Sequence, residues 1–201
     1  MRASGQGGRE MGTKHLFFCG ERGVGKSTFI RSLLQGSNPD VGGFLTVCSQ
    51  REEDQHHLVY LLPARDCLFL PEEEKEKRFL QENLVADCFV DHQKAFPENF
   101  DRQGSIYFGE RTANDWNKRA VLVMDEIGFL EKDAKIFQDL ILHALDGDIP
   151  VIGVVKEAGG GSFLQKIRSH PKVELVKVTK ENRDRLLQLP QVTEFALRCR
   201  L

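Results

Sequence analysis

Eight residues near the start of the chain have the types and spacing needed to hold a chain of phosphates. They are Gly20, Glu21, Arg22, Gly23, Val24, Gly25, Lys26 and Ser27, in the pattern G-x-x-x-x-G-K-[ST]. The glycines let backbone N–H groups turn inward around an anion, the lysine neutralises phosphate oxygens, and the serine hydroxyl suits Mg²⁺. The segment Gly20–Thr28 therefore predicts a phosphate-binding loop for a nucleotide with Mg²⁺ as cofactor.

Two adjacent acids follow an apolar run later in the chain. Ala120–Met124 (AVLVM) predicts a buried strand, and Asp125 and Glu126 come directly after it. Beside a phosphate loop, such an aspartate is expected to hold magnesium together with Ser27. The neighbouring glutamate can orient and deprotonate an attacking water. We therefore predict Ser27 and Asp125 as metal ligands, and Lys26 and Glu126 as catalytic residues.

A further candidate pair lies near the C-terminus. Asn182 and Arg183 follow the apolar segment 173–178, at the carboxyl edge where open α/β sheets bind ligands. We consider both as contacts to the base or to a phosphate. The alternative is a helix start with an arginine that faces solvent.

The hydrophobic pattern supplies the elements that must position these residues. Strands are predicted at 15–19, 43–48, 57–62, 120–124, 150–155 and 173–178, with the second and third pairing as a hairpin. Helices are predicted at 26–35 and 163–168, with a helix start at 181–188. A further helix ends at Gly147 and buries a stripe of Ile136, Phe137, Leu140, Ile141, Ala144 and Leu145. This alternation predicts an α/β fold with a central, mostly parallel sheet covered by helices.

Two segments give weaker signals. The run Glu72–Lys77 (EEEKEK) predicts a solvated helical face. Residues 63–118 mix short apolar pieces with charged and turn-forming residues. The pattern leaves the structure of that second segment open.

Length and composition bound the domain organisation. The chain has 201 residues and 40% hydrophobic content, which is enough for one sizeable core. Residues 1–13 are rich in Gly, Arg and Ser and have little to bury. We expect residues 1–13 to be a disordered leader and residues 14–201 to be a single domain.

Charge and cysteine content limit the partners and the compartment. The formal net charge of -2 gives no general attraction to nucleic acid or to an anionic membrane. The five cysteines lack C-x-x-C spacing, and no apolar run approaches the ~20 residues of a membrane helix. We therefore expect a cytoplasmic protein that binds neither nucleic acid nor membrane, while a protein partner stays open.

Four blocks in order along the chain resemble one known family. They are G-x-x-G-V-G-K-S-T at Gly20–Thr28, G-F-x-T at Gly43–Thr46, D-E-I-G-x-x-E at Asp125–Glu131 and T-x-E-N-R at Thr179–Arg183. With these blocks the chain resembles the small THEP-type nucleoside triphosphatases over roughly residues 14–187. The resemblance implies a RecA-like variation of the P-loop fold that hydrolyses several nucleoside triphosphates with magnesium.

The chain also departs from that family. Members usually carry acids and then an arginine after G-F-x-T, whereas here Val47–Gln50 follow and Arg51 comes one position late. The stretch 63–116 does not match either. The resemblance therefore does not fix the substrate preference.

Three functions fit the predicted site. The leading hypothesis is hydrolysis of nucleoside triphosphates with broad base specificity, because the N-K-x-D element that reads guanine in most GTPases is absent from the sequence. A nucleotide or small-molecule kinase is the first alternative, since such kinases place an acceptor hydroxyl where a hydrolase places water. The second alternative is a nucleotide-dependent switch or assembly factor, in which slow hydrolysis times the release of a partner.

Overall fold

Strands and helices alternate along the chain and form one sheet covered by helices. The computed structural model describes residues 15–37, 39–52, 55–109, 120–157, 159 and 161–201, so the predicted leader lies outside the described residues. The strands are β1 (His15–Cys19), β2 (Asp40–Cys48), β3 (His57–Pro63), β4 (Leu84–Cys88), β5 (Gln93–Ala95), β6 (Ala120–Ile127), β7 (Val151–Val155) and β8 (Val173–Lys177). The helices are α1 (Lys26–Gln35), α2 (Ala64–Cys67), α3 (Glu72–Glu76), α4 (Pro97–Gly109), α5 (Lys135–Asp146), α6 (Gly161–Arg168) and α7 (Pro190–Cys199).

The sheet has a parallel part and an antiparallel extension. Its strand order is β5-β4-β3-β2-β6-β7-β1-β8. The pairs β2–β6, β6–β7, β7–β1 and β1–β8 are parallel, whereas β2–β3, β3–β4 and β4–β5 are antiparallel. The predicted α/β fold with a mostly parallel sheet is confirmed. The predicted hairpin is confirmed as well, with Leu45 of β2 opposite Leu62 of β3.

The core has two layers, one on each face of the sheet. Successive side chains of a strand point to opposite faces, and Phe17 and Phe18 of β1 accordingly enter different layers. One layer includes Ile30 of α1 and Phe195 of α7, and the other includes Phe137 of α5. Burial of both faces explains why the parallel strands are continuous apolar runs. No helix within the described ranges is long and apolar enough to cross a bilayer.

The buried stripe predicted on α5 is partly wrong. Phe137 and Ile141 are fully buried, but Ile136, in the first turn of the helix, is 55% exposed. Gln138 takes a buried position instead, because its amide donates hydrogen bonds to two main-chain carbonyls. The acceptors are the carbonyl oxygens of Glu131 and Lys132, at 2.6 and 2.9 Å.

The C-terminal helix also begins later than predicted. The segment expected to start a helix at residue 181 forms a short 3₁₀ helix, Arg183–Gln188. The α-helix α7 begins at Pro190. Proline lacks an N–H and has a fixed φ, so it suits the first position of a helix and ends the segment before it.

The charged run on α3 is not simply a solvated face. Lys75 is only 3% exposed, and its ammonium donates a hydrogen bond to Glu72 Oε1 at 2.7 Å. Arg31 of α1 donates to the same oxygen at 3.2 Å. A buried ammonium needs such a partner because desolvation of its charge is costly. The prediction of a solvated face is therefore wrong for Lys75.

Candidate active site

The predicted phosphate loop connects β1 to α1. Gly20 has a φ of +131°, and a Cβ at this position would lie 2.2 Å from the carbonyl oxygen of Val178. Gly23 and Gly25 also have positive φ angles, +79° and +97°. Val24 is the buried residue of the loop, 3% exposed. The path of the loop therefore requires glycine, and Val24 anchors it to the core.

Lys26 is the first residue of α1, and its side chain folds back over the loop. Its Nζ donates hydrogen bonds to the carbonyl oxygens of Gly20 and Glu21, at 3.0 and 2.7 Å. Arg22 is exposed and lines a cleft beside the loop, as Lys26 does. Thr28 is exposed in the first turn of the helix. Two cations of the loop thus border the same open space.

Ser27 and Asp125 lie in contact although 98 residues separate them in sequence. The Ser27 hydroxyl donates a hydrogen bond to Asp125 Oδ1 at 2.9 Å. β6 continues past the predicted run to Ile127, which carries the aspartate to the carboxyl edge of the sheet. Burial raises the pKa of Asp125 to about 6, and the hydrogen bond from Ser27 acts in the opposite direction.

Glu126 follows on the same strand and lines the cleft. Its carbonyl oxygen accepts a hydrogen bond from Thr46 Oγ1 of β2 at 3.1 Å. β2 approaches β6 closely because Gly43, with a φ of +85°, has no side chain. A Cβ there would lie 2.1 Å from the carbonyl oxygen of Val123. The G-F-x-T block therefore holds the main chain that carries the two acids.

Glu131 is a buried carboxylate at the cleft for which no role was predicted. It is 1% exposed, and Oε2 accepts a hydrogen bond from the N–H of Gly128 at 3.0 Å. Its pKa is raised to about 7, mainly by burial and to a smaller extent by nearby Glu126. The Gly128 hydrogen bond and the charge of Lys156 lower the pKa in part. The residue lies in the D-E-I-G-x-x-E block, but a single acid at that spacing indicates no role without the fold.

The cleft itself has a volume of about 660 Å³ and lies at the carboxyl edge of the parallel strands. It is lined by residues of the phosphate loop, of the strand ends of β2, β6 and β7, and of the antiparallel extension. Among the described residues, no group of three or more His, Cys, Asp or Glu side chains could hold a metal. Ser27 and Asp125 offer hard oxygen ligands, and Mg²⁺ often takes only one or two protein ligands beside phosphate oxygens. These two residues therefore fit magnesium.

Asn182 and Arg183 lie at the same edge of the sheet, beyond β8. The segment after β8 adjoins the loop, because the Val178 N–H donates to the carbonyl oxygen of Cys19 at 2.8 Å. Asn182 Oδ1 accepts from the N–H of Thr179 at 2.8 Å, and its Nδ2 donates to the carbonyl oxygen of Lys177 at 2.9 Å. Arg183 is exposed. The amide of Asn182 thus stabilises the turn, and neither residue lines the main cleft.

Comparison with known proteins agrees with this geometry. A family model described as NTPase matches residues 15–189. Nucleoside-triphosphatase THEP1 of Aquifex aeolicus is 25% identical over 176 residues, which cover 86% of this chain and 94% of that protein. The human cancer-related nucleoside-triphosphatase is 30% identical over 188 residues, covering 87% of this chain and 93% of the relative.

Two solved structures are similar to the fold. The crystal structure of A. aeolicus THEP1 has a TM-score of 0.62 at 20% identity and covers 87% of this chain and 95% of its own. The solution structure of a human cancer-related nucleoside triphosphatase also has a TM-score of 0.62 at 20% identity, with 90% and 96% covered. The resemblance given by the four sequence blocks is thereby confirmed. The chain belongs to the NTPase family, that of the THEP-type nucleoside triphosphatases.

Proposed function

We propose that this chain hydrolyses nucleoside triphosphates to the diphosphate and phosphate, with Mg²⁺ and with little preference among bases. The observation that carries the proposal is the contact between Ser27 and Asp125, 2.9 Å, with Glu126 next along the strand. This contact joins the phosphate loop to the two acids. The family membership supports the same reaction.

The phosphate loop is proposed to bind the triphosphate. The N-terminus of α1 directs its unpaired N–H groups and positive dipole end toward an anion. Lys26 is held by two carbonyl oxygens, which are weaker partners for an ammonium than phosphate oxygens are. We expect its ammonium to move to the β- and γ-phosphates. Glu21, Arg22 and Thr28 complete the proposed nucleotide contacts.

The metal site is proposed at Ser27 and Asp125. Bound Mg²⁺ would supply positive charge against the β- and γ-phosphate oxygens. Proton binding to Asp125 competes with metal binding, and burial raises the pKa of this carboxyl to about 6. Magnesium binding is therefore expected to weaken in mildly acidic solution.

Glu126 is proposed as the base. Water attacks the γ-phosphorus, an O–P bond forms, and the bond to the β-γ bridging oxygen breaks as the diphosphate leaves. The proton of the attacking water passes to the Glu126 carboxylate and then to solvent. Thr46 fixes the main chain at Glu126 through a 3.1 Å hydrogen bond, so it acts as a positioning residue.

Smaller observations support the proposed broad base specificity and the proposed location in the cell. Both polar groups of the Asn182 side chain already bond to the main chain, so the exposed Arg183 is the better proposed contact to a base. A guanidinium can lie against any base without reading its edge. All five cysteines are free thiols, which supports a reducing compartment such as the cytoplasm.

Phosphate release from ATP, GTP, CTP and UTP tests the proposal. Each triphosphate is supplied at millimolar concentration to the full chain, once with Mg²⁺ and once with excess EDTA. We expect release from at least three of the four with Mg²⁺ and loss of release with EDTA. No release from any of them, or equal release in EDTA, would overturn the proposal.

A further inference from the structure

The cleft extends well beyond the proposed catalytic residues. Its lining reaches from Gly20 after β1 to Cys88 at the end of β4. In the strand order these two strands are five steps apart, or about 24 Å at the usual spacing between strands. The strand that carries Glu126 lies two steps from β1 and three from β4. Much of the cleft therefore lies on the far side of the acids from the phosphate loop.

The part of the cleft on the far side of the acids is formed by the antiparallel extension of the sheet. We call it the distal half and define it by Arg51, Gln55, His57, Val59 and Phe89. β3 runs antiparallel to β2, so the start of β3 lies at the same edge as the carboxyl ends of the parallel strands. The residues of the antiparallel extension thereby face the same cleft as the phosphate loop.

The orientation of a bound triphosphate follows from the proposed function, on which this inference rests. A metal held by Ser27 and Asp125 would lie against the β- and γ-phosphates, and Asp125 lies on β6, to one side of β1. The γ-phosphate therefore points toward β6, and the nucleoside extends the other way, toward β8. The distal half is then left beyond the γ-phosphate, outside the space of the nucleotide.

The charge of the distal half favours an anion. Arg51 and His57 line it, whereas the carboxylates of the cleft lining lie on β6 or after β6 and β7, at Glu126, Glu131 and Glu157. Arg51 Nη1 donates to Gln55 Oε1 at 3.1 Å, and His57 Nδ1 donates to the carbonyl oxygen of Gln55 at 3.0 Å. Gln55 thus links both side chains, and it does so with a left-handed backbone, φ +66°. Backbone strain of this kind is frequent at ligand sites.

Two of the side chains that define the distal half, Val59 and Phe89, are apolar. Val59 is buried, 3% exposed. The ring of Phe89 stacks with His56 at 4.4 Å and with His92 at 4.6 Å between centroids. These contacts restrict the rotamer of Phe89. A ligand here could place a non-polar group against Val59 and Phe89 and an anionic group against the Arg51 guanidinium.

We propose that the distal half is a second ligand site, which takes a small phosphate monoester with an organic body, such as a nucleoside monophosphate, facing the γ-phosphate of the bound triphosphate. Arg51 is proposed to hold the phosphate through its planar fork, which matches two phosphate oxygens. The organic body lies against Val59 and Phe89. The ligand and the triphosphate bind together because they occupy different halves of one cleft.

Calorimetric titration of the full chain, saturated with Mg²⁺ and a non-hydrolysable triphosphate analogue, tests this site. The probes are the four ribonucleoside monophosphates, glycerol phosphate and inorganic phosphate. We expect at least one monoester to bind more tightly than inorganic phosphate, and Arg51→Ala to weaken that binding 10-fold or more. Arg65→Ala is the matched control, since Arg65 is exposed on α2 at the opposite edge of the sheet.

The result separates this inference from the proposed function. Binding of the triphosphate analogue is measured in the same samples, and Arg51→Ala is expected to leave it within about 3-fold. Absence of monoester binding to the loaded protein, or equal binding by the Arg51→Ala variant, would overturn the second site while hydrolysis stands. Inorganic phosphate that binds as tightly as every monoester would overturn the assignment to an organic ligand.

Discussion

Glu131 shows how far burial raises the pKa of a carboxyl group in this site. The residue is 1% exposed, and burial raises its pKa to about 7 from the ordinary value of 4.5. Between these values the folded protein binds a proton that the unfolded chain releases. The free energy of unfolding therefore falls as the pH rises from 4.5 to 7. Above pH 7 the buried charge is expected to cost about 1–3 kcal/mol.

Replacement of Glu131 by Gln should remove this cost. The variant Glu131→Gln keeps an oxygen for the Gly128 N–H but carries no charge. We expect it to raise the free energy of unfolding by about 1–3 kcal/mol at pH 8 and to change it little at pH 4.5. Urea denaturation at both pH values measures this. Glu73→Gln, exposed on α3, serves as the control, and an equal gain at both pH values would contradict the account.

At the scale of single elements, β2 depends on a glycine for its place beside β6. Gly43 has a φ of +85°, and a Cβ would lie 2.1 Å from a carbonyl oxygen of β6. The left-handed backbone alone costs an ordinary residue about 1–3 kcal/mol. The steric overlap with main-chain atoms adds to that, because a strand in the middle of a sheet has little room to move.

Two glycine variants test this placement. Gly43→Ala should lower the free energy of unfolding by at least about 2 kcal/mol. Gly36, at the end of α1, has a φ of -73° and open space around it. Gly36→Ala should therefore be neutral or stabilising by up to about 1 kcal/mol. Chemical denaturation of both variants measures the difference, and similar midpoints would refute the close approach of β2 to β6.

The elements differ in how well the sequence predicts them. The unit of β1, loop and α1 was predicted with its observed bounds, because an apolar run, a glycine pattern and a helical stripe are all local signals. For β2 the apolar pattern predicts a start later than the observed Asp40, and for β6 it predicts an end earlier than the observed Ile127. Asp125 and Glu126 belong to the strand although they are polar, since the end of β6 opens to the cleft. Local hydrophobicity gives no sign of that opening.

The other elements and site residues depend on contacts between residues that are distant in sequence. β4 and β5 were not predicted, because short strands are decided by partners such as Ala86 and Ala95 across the sheet. The burial of Lys75 depends on tertiary contacts, since its partner Glu72 also accepts a hydrogen bond from Arg31 of the distant helix α1. The phosphate loop and the two acids were found from motifs, and the structure brings Ser27 and Asp125 together. The positions of Thr46 and Glu131 in the site needed the fold.

At the scale of the whole molecule, a buried histidine joins three elements. His15 of β1 is 0% exposed. Its Nε2 donates to the carbonyl oxygen of Leu145 of α5 at 2.9 Å, and its Nδ1 accepts from the N–H of Val151 of β7 at 3.1 Å. Both nitrogens are used by the neutral ring. Burial lowers the pKa of His15 to about 4 from 6.5.

Acid should therefore weaken the fold through His15. Between pH 6.5 and 4 the unfolded chain binds a proton that the folded protein does not, so stability is lost as the pH falls through this window. We expect the stability advantage of the natural chain over His15→Gln to shrink by about 2–3 kcal/mol between pH 7 and pH 4. Thermal or urea unfolding measures the difference. His143→Gln, exposed on α5, should show no such trend, and a pH-independent advantage of His15 would contradict the assignment.

The role of Glu126 is the centre of the functional account. Single-turnover phosphate release, with enzyme in excess over Mg-ATP, separates chemistry from binding and from product release. Glu126→Gln is expected to lower the rate about 10²–10⁴-fold while Mg-ATP still binds within a few-fold of the natural affinity. The bound nucleotide should then be recovered as intact triphosphate. Release at the natural rate by Glu126→Gln would contradict the proposal that this carboxylate activates the attacking water.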